Sequence, residues 1–221
     1  LGLVLPDGSD ALAEVTKVLS LTQATQSFVF ENVPAVPVAS LLRDFSAPVH
    51  LDFEQSDAEL AHLMAHDSDA FNRWEAGQRL ATRVLLAGIE AGGEGDAWIP
   101  ASLVAAVRRV LEDGLGKSGD AALAAEALVL PAEQVLAEEV AARGQVIDPD
   151  TIHRARFNLR RHLATVLRAA FEAAWSALAS SEPYAPDGIQ VGRRALRNLC
   201  LGYLADSSET YVRASVLPRL L

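Results

Sequence analysis

The sequence is poor in cysteine, in positive charge and in long apolar runs, and each shortage excludes a class of protein. A single cysteine, Cys200, cannot form a disulfide within the chain, which argues against a disulfide-stabilised secreted domain and favours the cytoplasm. A formal net charge of −10 argues against a general nucleic-acid binder, because phosphate recognition requires a surplus of Lys and Arg. No apolar run approaches the roughly 20 residues that span a bilayer, so we expect no membrane partner.

The residues that are present predict a folded protein. Half of the 221 residues are hydrophobic, which is enough for a packed core. The chain begins at Leu1 rather than Met, and residues 1–5 already have the composition of a strand. We therefore expect the chain to be a portion of a longer protein.

Residues 1–54 have the composition of β-structure. A turn is predicted at Pro6, Asp7 and Gly8, where the glycine can adopt a positive φ. β-Branched and aromatic residues alternate or cluster in the segments that follow, and they predict strands at residues 15–21, 26–33, 41–45 and 48–53. We expect this segment to be the C-terminal part of a β-sandwich domain.

After Phe53 the apolar residues recur with the helical period, so residues 55–221 are predicted to form the N-terminal part of an α-helical domain. Ser56 and Glu59 have the spacing of a capping box, while Asp148 and Pro149 have the order of a cap and a first helical residue. The predicted fold is mainly α with a small β part: a partial β-sandwich followed by an armadillo- or HEAT-like superhelix. The helices are predicted at residues 57–66, 69–91, 101–113, 119–128, 132–142, 149–180, 188–205 and 208–217.

Two motifs come close to known sites. His62 and His66 have the spacing of a zinc-binding helix, but Leu63 stands where a metalloprotease needs a glutamate general base. The segment from Gly114 to Ser118 contains the Gly116, Lys117 and Ser118 of a phosphate-binding loop, but Leu111 stands at the position of its first glycine. We interpret the pair as polar histidines on a half-exposed helix and the segment as a turn that ends a helix at Gly114.

Arginines concentrate on two predicted helices near the end of the chain. They suit either a carboxylate site or ion pairs with the acidic residues of the middle segment, and we favour the ion pairs. Cys200 lies between leucines and is predicted to be a buried thiol, so no catalytic, cofactor-binding or metal-binding residue is predicted. The arginines are Arg154, Arg156, Arg160, Arg161 and Arg168 on the first helix and Arg193, Arg194 and Arg197 on the second.

Residues 26–33, 41–42 and 45–49 resemble the end of the third domain of the bacterial aminopeptidase N family of zinc metallopeptidases. A further set resembles helices of its fourth, helical domain: Ser56, Asp57, Leu60, Leu63, Met64, His66, Phe71, Trp74, Ala76, Gln78, Leu196, Arg197, Asn198, Cys200 and Leu201.

The resemblance implies a parent enzyme that uses zinc-activated water to remove the N-terminal residues of peptides. The family's H-E-x-x-H and G-A-M-E-N motifs are absent from this sequence, so the zinc would belong to a catalytic domain upstream of residue 1. The expected partners are that domain and peptide substrates. This chain would then be inactive alone and would supply an interdomain β-module and a helical shell that restricts substrate access.

A second hypothesis is a free-standing α-solenoid adaptor that binds a protein or a peptide on its concave face. The fold alone does not distinguish an aminopeptidase portion from an adaptor, because helical arrays occur in both kinds of protein. The coding sequence upstream of residue 1 would distinguish them.

Overall fold

The structure is a computed structural model that describes residues 1–49, 51–116 and 119–207. The chain divides into two units, Leu1–Gly77 and Gln78–Leu221, and the division lies within a helix. The predicted domain limits, 1–54 and 55–221, stay a prediction. Among the described helices, none is both long enough and apolar enough to cross a membrane.

The first unit contains a small antiparallel sheet. Strands β1 (Gly2–Val4) and β2 (Val38–Ser40) pair with Leu3 opposite Ala39. The predicted turn after β1 is confirmed: Gly8 has a φ of 86° and donates its N–H to the Leu5 carbonyl at 2.8 Å. The strand composition predicted for residues 1–5 is also confirmed over Gly2–Val4.

The prediction of four further strands before residue 54 is wrong for the described residues, which place no strand in those segments. An alternating apolar pattern forms a strand only where neighbouring strands accept its backbone groups and another layer covers its apolar face. Val18, Leu21 and Val29 instead have 78, 73 and 82% of their surface exposed. Over residues 41–45 the chain forms a 3₁₀ turn, Arg43–Phe45, in which Asp44 has a positive φ of 57°.

The first helices begin where the sequence predicts. Helix α1 (Asp57–His66) starts with the predicted capping box: the Glu59 N–H donates to Ser56 Oγ at 3.2 Å, and the Ser56 N–H donates to Glu59 Oε2 at 2.7 Å. Helix α2 (Ala70–Glu90) follows after a short connection. The buried side chains of α1 include Leu60, Leu63 and Met64.

The second unit is helical throughout its described secondary structure. The predicted helix 149–180 is divided at Leu167, although Leu167 keeps a helical hydrogen bond from its N–H to the Leu163 carbonyl at 2.9 Å. The other helices lie within about three residues of their predicted bounds, and the helix predicted at 208–217 lies outside the described residues. The helices are α3 (Ala101–Gly114), α4 (Ala121–Ala127), α5 (Glu133–Ala142), α6 (Pro149–Val166), α7 (Arg168–Ala177) and α8 (Gly188–Ser207).

Helix α8 lies at the centre of this unit and packs against α4, α6 and α7. The Phe171 and Tyr203 rings stack with centroids 4.6 Å apart, and the Tyr203 hydroxyl donates to the Leu128 carbonyl at 2.9 Å. Gly192 lies so close to α4 that a Cβ there would stand 2.8 Å from the Ala122 nitrogen. The core is therefore built on α8, and the predicted mainly-α fold with a small β part is confirmed.

Candidate functional site

The two histidines of α1 lie together, with ring centroids 4.8 Å apart. His62 Nε2 is 2.8 Å from the Leu5 carbonyl oxygen, so this nitrogen must donate a proton and has no free lone pair for a metal. Within the part of the chain that the structure describes, no three His, Cys, Asp or Glu side chains form a group that could hold a metal ion.

The segment that resembles a phosphate-binding loop follows the end of α3. The helix includes Gly114, and the Gly116 N–H closes a turn on the Asp113 carbonyl at 3.0 Å. A Cβ at position 114 would collide with Ala124 Cβ, so this glycine permits α3 and α4 to approach closely. The helix-ending turn predicted at Gly114 is confirmed, and Lys117 and Ser118 lie outside the described residues.

The arginines of α6 mainly bind neighbouring backbone and side chains. Arg156 Nε donates to the Pro131 carbonyl at 2.8 Å, and Arg154 Nε donates to the Gly92 carbonyl at 3.2 Å. Arg160 forms an ion pair with Asp206 and lies over the Tyr203 ring, 5.1 Å from its centroid. These contacts connect α6 to the segments that contain Gly92 and Pro131 and to α8.

The arginines of α8 line a small cavity between the end of α7 and the first turns of α8. The cavity has a volume of about 270 Å³, and Leu178 and Tyr184 contribute apolar surface to it. Arg193 forms an ion pair with Glu182 at 2.8 Å. Arg194 and Arg197 do not pair with a carboxylate in the described residues; each lies over an aromatic ring instead, 4.8 Å from the centroid of Tyr184 and 4.2 Å from that of Trp175.

The loop that carries Tyr184 is fixed by Gln190. The Gln190 side chain donates to the Pro183 carbonyl at 3.0 Å and accepts the Ala185 N–H at 2.9 Å. Arg194 Nη1 also donates to Gln190 Oε1, at 3.1 Å. These hydrogen bonds hold the Tyr184 loop, which forms one wall of the cavity, against α8.

A second, larger cavity of about 590 Å³ adjoins the first and shares Leu178 and Arg193 with it. Its lining is rich in glycine, and Asp120 is the acidic residue in it. The Asp120 carboxylate already caps α4 by accepting the Ala122 N–H at 2.8 Å. Among the described lining residues, this cavity therefore offers less unpaired polar chemistry than the arginine-lined one.

The first unit holds a buried charged cluster that the sequence did not reveal. Arg43 is 1% exposed, and its Nη1 is 2.9 Å from Asp10 Oδ1 while its Nη2 is 2.7 Å from Asp67 Oδ1. Burial raises the pKa of Asp67, and the hydrogen bond from Ser40 and the charge of Arg43 offset only part of that effect. The cluster connects strand β2 and the segment after β1 to the residue that follows α1.

Cys200 is buried, as predicted from its leucine neighbours. Burial raises the pKa of the thiol to about 12, so the thiolate is negligible at neutral pH. Burial likewise raises the pKa of Tyr203 to about 12. Neither group is poised for nucleophilic or acid–base chemistry.

Comparison with protein families and known proteins gives a consistent result. Residues 57–219 match the family model described as a domain of unknown function, DUF3458_C, ARM repeats, and residues 1–54 match DUF3458, Ig-like fold. The first match confirms the predicted armadillo-like array.

Curated relatives cover nearly the whole chain. It is 40% identical over 192 residues to aminopeptidase N of Escherichia coli, a match that covers 86% of this chain and 21% of the relative. It is 33% identical over 221 residues to aminopeptidase N of Caulobacter vibrioides, covering 100% of this chain and 24% of the relative. The chain thus spans between a fifth and a quarter of the length of these relatives.

A solved structure has a similar fold. The crystal structure of Legionella pneumophila aminopeptidase A in complex with aspartic acid superposes with a TM-score of 0.73 at 26% identity. The match covers 98% of this chain and 25% of the Legionella protein.

Proposed function

The chain belongs to the DUF3458 family, with its Ig-like and ARM-repeat segments, and from this premise we propose that it works as part of an aminopeptidase. The observation that carries the proposal is the 33% identity to an aminopeptidase N over all 221 residues. The activity proposed for the longer protein is the removal of N-terminal amino acids from peptides.

The proposed role of the chain itself is architectural. Its β-segment would connect domains, and its helices would form a shell that restricts which peptides reach the active site. The continuous buried core of α6, α7 and α8 supports this role, because a shell must keep its shape to exclude substrates. Another domain of the same protein would supply the catalytic residues and would bind the peptide substrates.

Zinc does not fit the residues that the structure describes. His62 Nε2 is engaged by the Leu5 carbonyl, and no group of three suitable ligands exists among residues 1–49, 51–116 and 119–207. A zinc site needs at least three protein ligands in a fixed geometry. We therefore assign the zinc of the proposed peptidase to its catalytic domain, and no chemical step to this chain.

We also propose a reducing compartment, such as the cytoplasm. The lone Cys200 is buried and cannot form a disulfide within the chain. Cell fractionation would place the protein with soluble cytoplasmic markers if this is correct and with extracellular or membrane markers if it is wrong.

The activity is tested with the protein expressed from its complete reading frame. We expect release of p-nitroaniline from amino-acid anilides, loss of this activity with a chelator and its return with zinc. Anilides with an acetylated amine are the control and should not be cleaved. A complete reading frame that starts at this segment and yields a protein without hydrolase activity would favour the adaptor.

The access role is tested by peptide length. The matched variants are Gly192→Ala, which should disturb the packing of α8 on α4, and Gly188→Ala, which has open space around its added Cβ. In the complete enzyme we expect Gly192→Ala to raise kcat/KM for a long peptide relative to a short anilide and Gly188→Ala to leave the ratio unchanged. An unchanged ratio in both variants would contradict the role of the helices in access.

A further inference from the structure

We propose that the cavity between α7 and α8 binds a carboxylate attached to an apolar group, and that Arg194 and Arg197 hold it. The proposal does not depend on the peptidase activity, because the cavity and its contacts lie within residues 175–197. It goes beyond the architectural role proposed above by assigning a binding site to this chain.

The sequence brings the polar groups of this cavity to one side of α8. Residues 190, 193, 194 and 197 are separated by three, four and seven positions, which places them on one helical face. Each of these four side chains lines the cavity. A single helix therefore presents three guanidinium groups and one amide to the same small space.

The aromatic contacts orient two of the guanidinium groups. A guanidinium that packs against an aromatic ring is restricted in position, while its N–H groups can still be accepted by the two oxygens of a carboxylate. Arg197 donates Nε to the Trp175 carbonyl at 3.3 Å, and its two Nη atoms have no acceptor among the described residues. Arg194 donates Nη1 to Gln190 Oε1 at 3.1 Å, and its hydrogen bonds to the Ala185 carbonyl are long, at 3.4 and 3.5 Å. Both groups can therefore take up a stronger acceptor.

The charges at the cavity favour an anion. Of the residues that the structure describes, three arginines and one carboxylate, Glu182, line it, and Glu182 is already paired with Arg193. Arg194 and Arg197 therefore form a local positive charge in a chain whose formal net charge is −10. Such a chain repels anions in general, so binding would depend on this local arrangement rather than on overall charge.

The size and walls of the cavity indicate the class of ligand. About 270 Å³ accommodates a small molecule or the end of a peptide, and Leu178 and Tyr184 provide apolar contact beside the arginines. An arginine fork matches the two oxygens of a carboxylate. We therefore expect a free carboxylic acid or the C-terminal carboxylate of a peptide, with an apolar side chain next to it.

The test is calorimetric titration of the 221-residue chain at low ionic strength. N-acetylphenylalanine is the probe, and N-acetylphenylalaninamide, which lacks the charge, is its matched control. We expect saturable binding of the acid and at least tenfold weaker binding of the amide, because the amide lacks the negative charge and replaces one acceptor oxygen with an NH2 donor. Equal affinity for both, or tighter binding of inorganic phosphate, would overturn the proposal.

Variants test which arginines bind. Arg194→Gln and Arg197→Gln should each weaken binding of the acid at least tenfold, and Arg197→Lys severalfold, because lysine keeps the charge but lacks the fork. Arg161→Gln is the control, since Arg161 is exposed on α6 and does not line the cavity. Circular dichroism checks that each variant is folded. An equal loss in Arg161→Gln would show non-specific charge attraction and contradict the site.

The two sources of the carboxylate are then separated by a tripeptide that ends in phenylalanine. Tighter binding of the tripeptide with a free C-terminus than of N-acetylphenylalanine would assign the site to peptide ends. Weaker binding of the tripeptide would assign it to free acids. The amidated tripeptide should not bind in either case, and its binding would count against carboxylate recognition.

Discussion

Arg43 is buried among polar partners that come from distant parts of the first unit. Its Nε donates to Ser40 Oγ at 2.9 Å and its Nη1 donates to the Val15 carbonyl at 2.7 Å, in addition to its two carboxylate contacts. Gly2 leaves room for the guanidinium, because a Cβ at that position would collide with it. Burying a charge is tolerated only when its partners replace the lost water, and this cluster does so in part, because the pKa of Asp67 stays raised.

We predict that Arg43→Met lowers the free energy of unfolding by about 3 to 5 kcal/mol, because it leaves Asp67 buried without its counter-charge. Urea denaturation measures the loss. The control is Arg193→Met, which breaks an ion pair whose carboxylate partner, Glu182, is 60% exposed. That variant should lose no more than about 1 kcal/mol, and equal losses would contradict the importance of the buried cluster.

Asp67 adds a pH dependence whose sign follows from its raised pKa. The folded state binds a proton at Asp67 more tightly than the unfolded state does. The contribution of Asp67 to the free energy of unfolding therefore rises as the pH falls through its folded pKa, and it levels off below the ordinary aspartate pKa of 3.8. We predict that the wild-type chain gains stability relative to Asp67→Asn over this range. Denaturation midpoints measured from pH 7 to pH 3 check the prediction, and a relative loss at low pH would contradict it.

Single residues were predictable where a local rule governs them. The capping residues Ser56 and Asp148 and the buried Cys200 follow from their immediate neighbours. Arg43 does not, because an arginine is usually exposed and its carboxylate partners lie tens of residues away. The ion pairs of Arg160 and Arg193 also differ from expectation, because their carboxylate partners lie in the last third of the chain rather than in its acidic middle.

At the scale of secondary structure, helices were easier to predict than strands. A helix satisfies its own backbone hydrogen bonds, so caps and apolar period are enough to locate it. A strand depends on partners elsewhere, and the alternating pattern at residues 26–33 could not show whether such partners exist. The division of the long helix at Leu167 also left no signal, because neither proline nor glycine marks it.

The packing of α8 on α4 gives a prediction for one glycine and a matched control. Gly192→Ala places a Cβ 2.8 Å from the Ala122 nitrogen, whereas Gly188→Ala places it in open space. We expect the first to lower the free energy of unfolding by about 1 to 3 kcal/mol, as overpacking does. The second should change it by less than about 1 kcal/mol. Thermal denaturation compares the two variants, and a larger loss for Gly188→Ala than for Gly192→Ala would contradict the prediction.

At the scale of the whole molecule, the proposed function depends on relatives rather than on chemistry within these residues. The matched relatives are about four times as long as this chain, and the matches cover 21 and 24% of them. The candidate arginine site could be predicted only in part: the arginines and their helical spacing are visible in the sequence, but the cavity and its aromatic contacts require the loop after α7 to fold back. That loop contains two prolines and gave no periodic signal.

We propose that this chain contributes structure and access to an aminopeptidase but neither zinc nor catalytic residues. Native mass spectrometry of the 221-residue chain with added zinc, followed by an anilide hydrolysis assay on the same sample, tests it most directly. Circular dichroism first confirms that the sample is helical. We predict no stoichiometric zinc and no release of p-nitroaniline. One bound zinc per chain together with zinc-dependent turnover would contradict the claim.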